Sequence, residues 1–260
     1  MDAAIALNRF GLGRRPSDDL PDDPHGWLES QLSRYQPALP GRDAIAGQTE
    51  IAQGLVAFAE QARAAGKMQV EPAGTVPGPV PDRPVSPQEK VESSPATTQD
   101  MRTDRQQIQA DLRAFARTQY LAQVSLRVRN AVATDTPFVE RLVHFWANHF
   151  AVSADKLELV GLAGTMEFEA IRPHVMGRFG DMLNAVERHP AMLLYLDQAV
   201  SIGPDSPAGQ LAARRQARQR AGLNENLARE IMELHTLGVR TVYTQADVTE
   251  FARAMTGFTV

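Results

Sequence analysis

Five of the six histidines lie after residue 143, among carboxylates, amides and arginines. Histidine changes charge near neutral pH, so this half of the chain is where acid–base chemistry or metal ligation would sit. In His144-Phe145-Trp146-Ala147-Asn148-His149-Phe150, helical spacing places Glu140, His144 and Asn148 at i, i+4 and i+8, with Arg141 three before His144. On that polar stripe His144 has three readings: metal ligand, general base, or member of a buried hydrogen-bond network. His149 continues the apolar line Phe138, Leu142, Phe145 and reads as a core histidine. In Ile171-Arg172-Pro173-His174 the proline disfavours helical geometry at 172. The resulting turn aims Arg172 and His174, either as an anion-binding pair or as caps on neighbouring helices. In Glu187-Arg188-His189-Pro190, His189 is placed to cap the following helix. Asp197, near that helix's C-terminus, needs a cation, for which Arg172 and Arg188 are candidates.

The longest polar run is Asn224-Glu225-Asn226-Leu227-Ala228-Arg229-Glu230-Ile231-Met232-Glu233-Leu234-His235. Asn226, Glu230 and Glu233 share one face, and Arg229 pairs with Glu233 at i, i+4. Glu233 and His235 border the apolar flank. The candidates for catalysis or ligation are therefore His144, Asn148, His174, Glu230, Glu233 and His235. Those for anion binding are Arg172, Arg188 and Arg229. None of these spacings names a metal or a cofactor. The chain has no H-E-x-x-H, Glu-x-x-His pair, phosphate loop or Gly-x-Ser-x-Gly elbow. Gly11-Leu12-Gly13 lacks the third glycine and the strand of a dinucleotide fingerprint.

Helices must position these residues. Alternating runs of Val, Ile and Thr are almost absent and aromatics are 6%, so sheet is poorly supported. The pattern predicts helices over residues 25–36, 45–65 and 103–133, the last with Ile108, Leu112, Phe115, Leu121, Val124 and Val128 as its buried stripe. A helix from Pro137 to about Phe150 opens behind Thr136 as N-cap. Others cover 177–188, a short piece from Pro190, an arginine-rich piece over 210–220, a helix capped by Asn224 and closed by Gly238, and a last one behind the capping box Thr244-Gln245-Ala246-Asp247. The fold class is all-α, an irregular multi-helix array. Its parts are a helical segment 1–70, a proline-rich excursion 71–100 and a main core 101–260 forming one domain with 1–70. Seven of the 17 prolines fall between Glu71 and Pro95, and proline blocks helix interiors.

With 43% hydrophobic residues in 260, the chain can bury a substantial core. The net charge of −4 gives no global attraction for nucleic acid or anionic lipid. Arginines 214, 215, 218 and 220 have no interleaved aromatics, so nucleic-acid binding is not expected. No apolar run reaches membrane-spanning length, and membrane insertion is not expected. Zero cysteines remove disulfides, thiol catalysis and iron–sulfur ligation. The N-terminus lacks a signal-peptide pattern, which predicts a cytoplasmic protein unless an export signal was trimmed.

Several motifs are similar to a known family. They are Ala4 to Gly13, His144 to Phe150, Arg172-Pro173-His174, His189 to Leu193 with Tyr195-Leu196-Asp197, and Gly222 to Glu230 continuing through Glu233-Leu234-His235-Thr236-Leu237-Gly238. Tyr243 to Val248 and Thr256-Gly257 extend the likeness. The chain resembles the bacterial family known as domain of unknown function 1800. The resemblance implies a mainly helical protein without an assigned activity, and brings no catalytic residues. It also implies that members continue for a second part beyond the Thr256-Gly257-Phe258-Thr259 motif, and that many carry export signals. An exposed apolar surface is then expected, with that further part or a second protein chain as its packing partner.

Two functions follow. One is a non-catalytic helical scaffold or binding domain with a buried His/Asn/Arg/Glu network, which must be fully satisfied and then fixes one helix arrangement. The other is a metal-dependent or hydrolase-type enzyme, with His144, His174, Glu230, Glu233 and His235 converging on a cleft completed by the further part. Convergence of three or more of these on one point separates the two.

Overall fold

The computed structural model describes residues 2–67, 95–214, 222–239 and 242–260. Among them there are helices and no strand, so the fold is all-α. In chain order the α-helices are α1 (Ala3–Phe10), α2 (Pro24–Arg34), α3 (Gln48–Lys67), α4 (Pro95–Ala133), α5 (Pro137–His149), α6 (Leu157–Val160) and α7 (Ala163–Met166). They continue as α8 (Phe179–Glu187), α9 (Pro190–Tyr195), α10 (Pro207–Arg214), α11 (Asn226–Glu230) and α12 (Gln245–Ala254). Two π-helical stretches, Glu167–Ile171 and Ile231–Thr236, extend α7 and α11. The proline-rich residues 71–94 and arginines 215, 218 and 220 lie outside the described residues, whereas Pro95 opens α4.

The helix starts follow local chemistry. Asp2 accepts from the backbone of Ala4 and Ile5, and Asp23 from His25 behind Pro24. Both halves of the Thr244/Asp247 capping box are made. Asn224 Oδ1 accepts from the Asn226 N–H at 2.9 Å. Gly238 adopts φ 91° after the second π-helical stretch, a left-handed backbone that favours glycine. At α5 the outcome differs from the expected Thr136 side-chain cap. Thr136 holds the N-cap position without a side-chain bond to the helix; its hydroxyl lies 3.3 Å from that of Thr134. Instead the fully buried Gln31 of α2 accepts from the Phe138 N–H at 2.7 Å and donates to Trp27 O at 3.3 Å.

The chain forms two compact units, Met1–Ala52 with Ala116–Val260, and Gln53–Phe115. In the smaller unit the rings of Phe58 and Phe115 meet at 5.7 Å. A Cβ on Gly54 would come within 2.8 Å of the Phe115 ring, so glycine permits that contact. The larger unit carries the main core, including Leu126, Val139, Val143, Phe150, Leu159, Leu162, Ile171, Met192 and Leu227.

Three sequence expectations are corrected here. On α4, Leu121, Val124 and Val128 are exposed; the buried residues are Ala116, Gln123 and Leu126. Gly164 explains this. A Cβ on Gly164 would stand 2.5 Å from Gln123 Oε1 and 2.9 Å from Gln123 Cβ. Small residues on both sides let the Ala116–Gln123 face pack closely against α6 and α7, which turns the larger aliphatics outward. Arg172 is helical (φ −55°, ψ −44°) despite Pro173. The π-helical widening before it, with the Arg172 N–H bonded to Glu167 O, reshapes the turn that the proline ring would otherwise clash with. Asp197 finds its cation in Lys156, not in Arg172 or Arg188, with Nζ–Oδ1 2.6 Å. Lys156 Nζ also donates to Leu194 O and Tyr195 O at 2.9 and 3.0 Å. It thereby closes the end of α9 beside the left-handed Asp197 (φ 56°).

Candidate functional site

The first π-helical stretch organises the principal site. Such stretches are rare and occur frequently at functional positions. Glu167 opens it and Arg172 follows it; both are buried. Arg172 Nη2 donates to Oε1 of Glu140, reaching from the π-helical stretch to α5. Arg172 Nε lies 3.4 Å from Glu167 Oε1, and Glu167 Oε2 lies 2.7 Å from Arg127 Nε on α4. On the other side, His144 Nε2 lies 3.4 Å from Glu140 Oε1, one helical turn away. The result is a chain of charge, Arg127, Glu167, Arg172, Glu140, His144, joined by ion pairs; the Arg172 Nε–Glu167 Oε1 link is a charge contact without an aligned hydrogen bond. Tyr35 adds a strut, its hydroxyl donating to Arg172 O at 3.1 Å.

A cleft of about 290 Å³ lies over this chain. Its walls are Tyr120, Val124 and Arg127 of α4, His144, Ala147 and Asn148 of α5, and Ala163, Met166, Glu167 and Ile171 opposite. Behind the wall Gln123 donates to Gly161 O at 2.6 Å and accepts from the Gly164 N–H at 3.1 Å, tying α4 to the α6–α7 turn.

The electrostatics follow from burial and pairing. Burial alone would raise the Glu140 carboxyl, but the His144 imidazole and the Arg172 guanidinium reverse this and hold it below the ordinary carboxylate range. His144 Nε2 makes no aligned hydrogen bond, so Arg172 is the stronger hold. Arg172 is pushed down by burial and more strongly up by Glu140 and Glu167, ending above its ordinary value. Burial raises the Tyr35 hydroxyl.

A second group surrounds His235 on the other π-helical stretch. His235 Nδ1 meets Glu187 Oε1 at 2.7 Å, and both side chains are buried. His149 Nε2 lies 3.2 Å from His235 O. The rings of Phe150 and His149 stand 5.0 and 5.8 Å from that of His235. Burial raises the Glu187 carboxyl, His235 opposes the rise and Glu230 adds to it. A third group joins α11 to α12. Arg229 meets Glu225 at 3.0 Å and Glu233 at 3.5 Å. Glu225 also accepts from Thr249 and Gln245, each at 2.7 Å, and these bonds and Arg229 lower its pKa.

The sequence-derived candidates therefore divide. His144 and Asn148 share the cleft. His235 and Glu230 neighbour Glu187, and Glu233 belongs with Arg229. His174 is half-buried on the 3₁₀ turn after Arg172. Arg172 and Arg229 are already paired with carboxylates, and Arg188 lies over the Phe258 ring at 5.4 Å. Among the described residues no group of three or more His, Asp or Glu is arranged to hold a metal ion.

A family model described as "Protein of unknown function (DUF1800)" matches residues 5–260. The chain belongs to this family. No curated protein and no solved structure matches it. In this DUF1800 chain, sequence reasoning missed Arg127, Glu167, Tyr35 and Gln123. One signal was available for Glu167: it lies five residues before Arg172, the spacing that a π-helical turn brings together.

Proposed function

We propose that this chain is a helical binding domain whose cleft is held in one shape by a buried ion-pair chain. One observation carries the reading. The chain of charge starts at Arg127 and ends at His144, both in the cleft wall, and passes through the fully buried Arg172 and Glu140 between them. It links α4, α5 and the π-helical stretch, which are the cleft's three sides. A network paired in this way restrains its elements, and preorganisation reduces the cost of binding. Each carboxylate in it already faces a cation.

The test is a double-mutant cycle on Glu140→Gln and Arg172→Met. Each single variant is expected to lose about 3–5 kcal/mol, because it strands the other charge in the interior. The double variant is expected to lose less than the sum. Amide exchange should quicken first in α5 and residues 167–171. Additive losses, or exchange rising elsewhere first, would overturn the reading.

A hydrolase-type reading has one observation in its favour. The His144 ring is 29% exposed in the cleft while its Nε2 faces the buried Glu140 carboxylate, as in a carboxylate-oriented base. Hydrolysis of p-nitrophenyl acetate that is lost in a folded His144→Gln variant would favour it.

A further inference from the structure

Arg127 spends only its Nε on Glu167; its side chain is 45% exposed and stands in the cleft wall. The two Nη groups of the guanidinium remain to form the fork that suits a carboxylate. On α5, His144 Nε2 lies 3.4 Å from the Glu140 carboxylate without an aligned hydrogen bond; a proton on Nε2 is favoured by that negative charge, and this tautomer leaves Nδ1 as the ring's hydrogen-bond acceptor. Asn148, one turn along α5, adds an amide. The walls between these groups are apolar: Val124, Ala147, Val152 and Met166. A cleft of about 290 Å³ stands at the small end of ligand sites.

We propose that this cleft binds a short-chain hydroxy acid, with the carboxylate on Arg127 and Asn148, the hydroxyl donating to His144 Nδ1, and the aliphatic body on the apolar walls. The assignment rests on the binding-domain reading and adds the ligand class to it. Each element of the ligand answers one element of the wall, a cationic fork, a lone-pair acceptor and an aliphatic surface. A ligand without the carboxylate leaves Arg127 in contact with water, and one without the hydroxyl leaves Nδ1 unmatched.

The probe is 3-hydroxybutyrate, titrated into the full chain and followed by imidazole resonances of histidine-labelled protein, with butyrate and 1,3-butanediol as partners. Saturable shifts of the His144 resonance are expected with 3-hydroxybutyrate. Binding is expected to be about tenfold weaker for butyrate, which loses one hydrogen bond, and weaker still for the diol. Arg127→Lys keeps a cation beside Glu167 and loses the fork, so it should weaken 3-hydroxybutyrate about tenfold with unchanged unfolding. Asn148→Ala, at an exposed position, is a second variant expected to weaken binding. Equal response to butyrate and 3-hydroxybutyrate overturns the hydroxyl contact, and binding indifferent to both variants overturns the site. No saturable binding, with Glu140–Arg172 coupling intact, removes the ligand class and leaves the binding-domain reading standing. Loss of that coupling removes the reading itself.

Discussion

His189 accepts the Ala191 N–H at Nδ1 (3.1 Å), while Nε2 lies 3.4 Å from the Thr165 hydroxyl. That hydroxyl donates to Leu162 O, so it receives the Nε2 proton, and the imidazole is neutral with both nitrogens specified. A second proton would have to sit on Nδ1, facing an N–H. Burial pushes the pKa down to about 4 from 6.5. The unfolded chain takes up a proton first as pH falls. The folding contribution is therefore present above pH 6.5 and is lost on descent toward about 4. The expected slope is about 1.4 kcal/mol per pH unit in that window. Urea unfolding of wild type and of His189→Asn, which keeps a capping side chain, should show the difference in slope; parallel curves would contradict it. Glu140 has the same sign in a lower range, since its pKa is depressed and its contribution fades as pH falls below ordinary carboxylate values. Glu187 has the opposite sign. Its raised pKa makes a contribution that is present at low pH and is lost as pH rises through the folded value. The sequence displayed the histidines and their capping neighbours, and His189 as a cap was legible from the proline behind it. Glu187 as the partner of His235 was not, because the two are 48 residues apart and no local spacing joins them.

At the level of the element, three buried glutamines hold helix ends or turns. Gln31 caps α5, Gln123 joins α4 to the α6–α7 turn, and Gln198 donates to Met255 O at the end of α12. Gln31→Leu should cost about 1–2 kcal/mol, because a cap is lost and the Phe138 N–H is left without its acceptor. Chemical denaturation reads this directly. Gly164→Ala forces a Cβ to within 2.5 Å of Gln123 Oε1 and should cost about 1–3 kcal/mol by overpacking. A neutral outcome would mean that α7 can shift away from α4. Helix starts were largely legible, since capping residues, first-turn prolines and closing glycines act locally. The orientation of α4 was not. Its aliphatic stripe announces a helix, but the close approach of Gly164 on α7 to Gln123 chooses which face is buried. The π-helical stretches also escape a reading built on a 3.6-residue period, and with them the Glu167–Arg172 spacing at the cleft.

For the molecule as a whole, three groups of paired ionisable side chains tie helices together among the described residues; the Arg127–His144 chain lines one cleft, and Arg229 and Glu233 line another of about 490 Å³. Among the described residues no helix is long and apolar enough to cross a membrane. In the larger unit, Leu121, Val124, Val128 and Val132 leave an aliphatic stripe of α4 exposed, more than scattered surface apolar residues require. Replacing Val128 and Val132 together by Lys should leave unfolding free energy within about 0.5 kcal/mol. It should also lower binding of an apolar dye; a large loss of stability would show the stripe to be packed.

Lys156 has a practical consequence. The sequence contains three lysines, and the amine of this one is engaged by two carbonyls and the Asp197 carboxylate. An ammonium held in this way must leave its partners and lose a proton before it can be acylated. Its labelling rate, followed by mass spectrometry, becomes a clock for local opening of the α9 turn, and Asp197→Asn should make that clock run faster.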